Sequence, residues 1–197
     1  MDNKVLIKVY RQENLEQFTA DFAEDDSRLE AGSLAAGTAA YSCCLLERAA
    51  KAALKSDSSN ERIGYICRNA GIARNYMVHL VDEDVKCKAP LRKALKEGGQ
   101  REIEACRQPA SAICNEIINV LGQVLEFALE LVPFCPESEH HTLHECAHLA
   151  MGAVRTAMSY VVDMSEYMSD ETMKYVVKRE NEITLDRYTK IYSEILN

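Results

Sequence analysis

The sequence predicts an all-α protein, an up-and-down bundle of five to six helices, on three observations. Residues 1–89 contain no proline, and the 197-residue chain holds 8 glycines and 4 prolines, too few turn formers for many short strands. Apolar residues recur at steps of three and four along most of the chain, which is the helical period. The breaks between these stretches are short, as in antiparallel bundles. At roughly 150 residues per domain, one domain over 1–197 is expected.

The elements follow in order. Lys4–Tyr10 is a candidate short strand. Glu13–Ala23 is a short amphipathic helix with Leu15, Phe18 and Phe22 on one face. Gly32–Leu54 is a helix of unusually small residues, Gly32 to Cys44 above all. It has too little side-chain bulk to fill a core alone. Close helix approach, inside one bundle or across a two-fold axis in a homodimer, is therefore expected. Ser58-Ser59-Asn60-Glu61 has the capping-box pattern, so the third helix starts near Ser59. Its stripe is Ile63, Ile66, Ala70, Ala73, Met77, Leu80, position 84, Cys87 and Leu91, a seam of about four heptads. Pro90 should kink or break it. After the turn Glu97–Gln100, a long helix covers Arg101–Val132, with a kink or fresh start at Pro109. The run Val132–Ser138 is a break, a fifth helix covers Glu139–Asp163, and Ser169-Asp170 caps a last helix, Glu171–Leu196.

Composition excludes several functions. Hydrophobic residues are 47% and charged residues 27%, an ordinary globular balance that excludes bulk disorder. A net charge of −8 argues against nucleic-acid binding, which wants a basic face. Glu126 and Glu130 interrupt the longest apolar stretch, so no membrane span is expected. Met1–Tyr10 does not read as a signal peptide. Eight cysteines without a C-x-x-C pair read as small hydrophobes, and the expected setting is the cytoplasm, with thiols reduced.

Three features could carry chemistry. Position 84 of the third-helix seam is Asp84, where packing alone would place an apolar residue. Burying a carboxylate costs several kcal/mol, roughly, unless it is paired. Asp84 is either a structural acid, salt-bridged to a neighbour such as Arg155, or a carboxylate aimed into a pocket for proton transfer, with Asp82 second. On the fifth helix His141, His144, His148, Gly152, Arg155, Ser159 and Asp163 share one face, either a solvated surface or a substrate wall. The same segment holds the H-E-x-x-H pattern His144-Glu145-Cys146-Ala147-His148, which on a helix sets two imidazoles for zinc. Glu166 is a possible third ligand, and a zinc-dependent hydrolase is one alternative reading.

Several landmarks together resemble the cyclodeaminase/cyclohydrolase family, which includes the cyclodeaminase domain of formiminotransferase-cyclodeaminase and methenyltetrahydrofolate cyclohydrolases. Glu30-Ala31-Gly32-Ser33-Leu34-Ala35-Ala36 stands where the family has Gly-Gly-Gly-Ser-Val-Ala-Ala. Leu80-Val81-Asp82-Glu83-Asp84-Val85 is similar to its Leu-Ile/Val-Asp-Glu-Asp-Ala, Ala105–Pro109 to its Ala-x-x-Val-Pro, and Ser169–Met173 to its Ser-Asp-Glu-Thr-Phe. The likeness runs from about residue 14 to 175. It implies a homodimeric helical bundle acting on folate one-carbon derivatives, with no tightly bound cofactor beside the tetrahydrofolate substrate. Asp84 and Asp82 would carry the acid–base chemistry. Gly32, Ser33, His141, Arg155, Ser159 and Asp163 would bind substrate. Lys88 and Arg92, in the basic cluster Lys86, Lys88, Arg92, Lys93 and Lys96, would hold its glutamate tail. The first two family glycines are replaced by Glu30 and Ala31, and Glu30 would repel an anion at the helix start. A non-catalytic binding or assembly protein that kept the fold is the other alternative.

Overall fold

The computed structural model describes residues 8–197, and among them every regular element is helical. Most of the candidate strand, Lys4–Ile7, lies outside the described residues. Its end, Tyr10, instead begins a 3₁₀ turn, Tyr10–Gln12. Six α-helices follow: α1 (Leu15–Ala23), α2 (Ala31–Ser56), α3 (Glu61–Glu97), α4 (Gln100–Leu131), α5 (His140–Ser165) and α6 (Glu171–Leu196).

Side-chain caps fix three of the starts. Asn14 accepts from Gln17 N at α1, Asn60 from Ile63 N at α3, and Asp170 from Thr172 N and Met173 N at α6. The α3 cap is thus Asn60, one residue beyond the predicted start. Such caps satisfy N–H groups that the helix leaves free.

Neither internal proline ends its helix. Pro90 and Pro109 sit inside continuous α3 and α4. Each removes one helical hydrogen bond and orphans the carbonyl four residues earlier. Both prolines, and Lys86 and Ala105 whose carbonyls are affected, lie on exposed faces, where water can serve those oxygens.

The small residues of α2 place it in the middle of the bundle, against α3 and α5 above all, and also α4. Gly32, Ser33, Ala35, Ala36, Ala39, Ala40, Cys43, Ala49, Ala50 and Ala53 are buried on it, with Leu46 as the one large side chain among its buried residues. Close helix approach therefore occurs within one chain. Ser42, on the same face, donates from Oγ to Cys146 O of α5 at 2.9 Å. The α1 face is less complete than its pattern. Phe18 and Phe22 pack on the core, while Leu15 is 64% exposed.

Helix α4 is long and apolar enough, by length and composition, to cross a membrane despite Glu126 and Glu130, and half of its most apolar window is buried here. It packs against α2, α3, α5 and α6. Gly122 of α4 has a packing reason. A Cβ there would lie 2.1 Å from the Tyr188 hydroxyl of α6, which donates to Ile118 O.

All eight cysteines are free. Burial pushes the Cys43 thiol up to about 12 and that of Cys146 up to about 11, so these two behave as small hydrophobes and not as nucleophiles.

Candidate active site

The chemistry-bearing residues meet where the start of α2 crosses the last third of α3. Asp84 is fully buried at 0% exposure. Its Oδ2 accepts from Ser33 N and from Ser33 Oγ, each at 2.9 Å. Asp84 therefore acts as a remote N-cap of α2, a position where the helix dipole favours an anion. Glu30, the residue at the N-cap position itself, makes no side-chain cap bond.

The other oxygen of Asp84 faces Lys88, four residues on and on the same side of α3. Lys88 Nζ lies 3.0 Å from Asp84 Oδ1, yet neither atom has an aligned hydrogen bond. The contact is an ion pair of poor hydrogen-bonding direction. The Lys88 side chain is 1% exposed. Its ammonium also sits 3.7 Å from the centroid of the Tyr160 ring of α5 and 3.4 Å from Glu30 Oε2. Glu30 Oε1 pairs with Arg92 Nη1 at 2.6 Å. Arg92 is itself anchored, donating from Nη2 to Val85 O and from Nη1 to Arg28 O. The charges alternate along one line of contacts, Asp84 to Lys88 to Glu30 to Arg92, buried at the Asp84–Lys88 end and partly exposed at the Glu30–Arg92 end.

Burial raises the Asp84 carboxyl above the usual carboxylate range. Lys88 and the Ser33 hydrogen bond pull the other way without cancelling it. Burial likewise raises the Tyr160 phenol, and the charges of Glu30 and Asp84 add to the effect. A carboxyl with a raised pKa is a better proton carrier near neutrality.

Beside Arg92 lies a surface groove of about 570 Å³, lined by Arg28, Lys86, Arg92, Lys93 and Lys96 with Asp26 and Glu97. Most of the expected basic cluster thus shares one groove. Lys88 does not line it; its ammonium lies behind Glu30, between that residue and Asp84.

Other predicted site residues lie elsewhere. Asp82 faces away from Asp84, since positions two apart on a helix do not share a face. Its Oδ1 accepts from Tyr10 N at 2.8 Å, and Arg11 Nε lies 3.4 Å from its Oδ2. Asp82 thereby fastens the Tyr10–Gln12 turn to α3. Arg155 is not the partner of Asp84. With Ser159 and Asp163 it lines a different groove, between α5 and α6, of about 440 Å³. His141 is exposed. The α5 residue that reaches the network is Tyr160, one place round the helix from Ser159. Gly32 and Ser33 do belong to the network.

The zinc pattern is not assembled. His148 Nδ1 hydrogen-bonds the Tyr192 hydroxyl at 2.8 Å, and Glu166 pairs with Lys178 at 2.5 Å. Among the described residues no group of three metal-ligating side chains converges.

Sequence reasoning missed Tyr160, and it read Glu30 only as a repulsive charge. The Asp84–Lys88 spacing of four was a local sign of their pairing. Nothing local signals that Glu30 meets Arg92 or that Tyr160 meets Lys88.

Comparison with known proteins agrees with this architecture. Residues 14–183 match the family model described as formiminotransferase-cyclodeaminase. Among solved structures, the chain is similar to formiminotetrahydrofolate cyclodeaminase from Thermotoga maritima, with a TM-score of 0.85 and 19% sequence identity. The match covers 93% of this chain and 94% of that one. At that identity the likeness establishes the fold. A search of curated proteins returns no significant match.

Proposed function

Because the chain belongs to the formiminotransferase-cyclodeaminase family, we propose that it acts on a one-carbon derivative of tetrahydrofolate. The reaction closes the formimino form with loss of ammonia or hydrolyses the methenyl ring. Both pass through a tetrahedral carbon at which a C–N bond forms or breaks. Each needs a group that carries a proton to or from water or the leaving nitrogen.

Asp84 is the carboxyl for that task. The observation that carries the reading is its position: a carboxyl held above its usual range, at the inner end of a charged chain whose outer member, Arg92, lines a basic groove. Arg28, Lys86, Lys93 and Lys96 would hold the substrate's glutamate carboxylates, and Arg92 would join the groove to the inner site. No resident cofactor is required, and the folate itself is the substrate. Asp84 has no exposed surface, so turnover requires Glu30 and Arg92 to part.

The zero exposure of Asp84 also favours a second reading, a helical binding protein in which the carboxylate is structural. Calorimetry with 5-formimino- and 5,10-methenyltetrahydrofolate, followed by turnover assays, separates the two. Asp84→Asn keeps the shape and removes the proton, so it should lower the rate about 10²–10⁴-fold in protein whose helical circular dichroism is intact. Full activity in that variant would exclude Asp84.

The homodimer is proposed as well. α2 leaves Leu34 and Tyr41 exposed at 42% and 57%, and Val78 of α3 stands beside them at 38%. Together they edge an apolar groove of about 440 Å³. Light scattering at micromolar concentration should give twice the 22.1 kDa chain mass; a monomer mass would end the proposal. The free thiols accord with the expected cytoplasmic setting.

A further inference from the structure

Glu30 stands in an unusual place. It precedes the first turn of α2 with an extended backbone at φ −132°, a conformation open to any residue. Its side chain ignores the free N–H groups of its own helix and crosses to α3. There one oxygen meets the Arg92 guanidinium at 2.6 Å and the other faces the Lys88 ammonium at 3.4 Å. Both cations exist without Glu30. Arg92 is anchored by the Val85 and Arg28 carbonyls. Lys88 is locked in the core with no aligned hydrogen bond to any acceptor.

Two cations at the positive end of a helix therefore converge on one carboxylate, and Lys88, buried and without an aligned hydrogen bond, stands between Asp84 Oδ1 at 3.0 Å and Glu30 Oε2 at 3.4 Å. Glu30 is the movable member, since it is about one-third exposed. Counting charges, Asp84, Lys88, Glu30 and Arg92 sum to zero. Withdrawal of Glu30 leaves one net positive charge beside the core, which is costly unless another anion replaces it.

We propose that Lys88 and Arg92 form an anion site for a carboxylate-bearing small molecule, and that Glu30 fills this site as an intramolecular competitor. A ligand carboxylate enters as Glu30 swings outward, and the exchange opens the path toward Asp84. The inference does not need the ligand to be a folate. It concerns the anion site alone and is tested without a folate or a turnover assay.

The test is Glu30→Ser. Serine is a strong N-cap residue, so the variant should keep the start of α2 while emptying the site. Glutarate is the probe, inorganic phosphate the comparison anion, and sodium chloride the control for ionic strength. By calorimetry, glutarate should bind Glu30→Ser at least tenfold more tightly than the parent and raise its melting temperature. The added substitution Arg92→Gln should abolish the gain. The proposal is overturned if Glu30→Ser responds to glutarate no more than the parent does, if Arg92→Gln leaves the gain intact, or if phosphate outcompetes glutarate. Should Glu30→Ser not fold, Glu30→Gln takes its place. If glutarate restores folding to either variant the site is supported; if it restores neither, Glu30 is only a structural ion-pair partner.

Discussion

Replacing Lys88 with Met should cost the fold about 3–5 kcal/mol, the usual range when one partner of a buried ion pair is removed. Met fills much of the same space, so the loss reflects charge and not a cavity. What remains is the Asp84 carboxylate, fully buried and still held by Ser33, with its second oxygen facing no cation. The pH dependence follows from the direction of its shift. Burial already raises the Asp84 carboxyl, and Lys88 is the largest influence opposing this. Without Lys88 the carboxyl rises further. A carboxyl raised in the folded state contributes stability that is present below its unfolded value and lost as pH climbs through the folded value. The cost of Lys88→Met should therefore be largest near neutrality and shrink toward about pH 4, where the acid is protonated. Urea denaturation at several pH values measures it. Combining Lys88→Met with Asp84→Asn removes both charges and should recover part of the loss at neutral pH. Equal stability of Lys88→Met and the parent at neutral pH would show that the pair contributes nothing net.

The sequence carried most of the fold and about half of the site, for a physical reason. Helical periods, caps and breaks are local, and α2 through α6 fall within a few residues of their predicted bounds. Asp84 was legible because a carboxylate in an apolar seam violates the local pattern. Asp82 reads in the sequence as the second catalytic carboxylate, but a helix turns it about 200° away, onto the Tyr10–Gln12 turn. The stripe from His141 to Asp163 shows the limit of periodicity. Spacing says that these residues share a face but not which way the face looks. It looks toward solvent and α6, where His148 meets Tyr192 and Arg155 shares a groove with Lys178. Tyr160, which does reach the network, had no distinguishing local context. Glu30 and Arg92 are 62 residues apart, and their pairing exists only once α2 and α3 have packed. Neither proline breaks its helix, because the cost of an orphaned carbonyl depends on exposure, which the chain alone does not state.

Gly32→Ala should destabilise the protein by about 3 kcal/mol, although the same change in an unconstrained helix interior gains roughly 1 kcal/mol. The sign turns on a single contact. A Cβ on Gly32 would lie 2.0 Å from Asp84 Oδ1, 2.5 Å from Cγ and 2.9 Å from Oδ2, so the whole carboxyl group blocks it. Asp84 cannot rotate aside without giving up both Ser33 hydrogen bonds, and hydrogen bonds to a charged group contribute about 1.5–3 kcal/mol. The other escape is separation of α2 from α3, which would open voids around Ala35, Ala36 and Ala39, all at 0% exposure. Overpacking of that kind costs about 1–3 kcal/mol. Either route outweighs the propensity gain. Gly37 supplies the control on the same helix, since a Cβ there meets nothing within 4 Å. Gly37→Ala should be neutral or gain up to about 1 kcal/mol. Urea melts of the two variants beside the parent decide the matter. Opposite signs confirm that α2 and α3 approach closely enough to require glycine at the Asp84 crossing. A gain at both positions would mean that Asp84 does not cap α2.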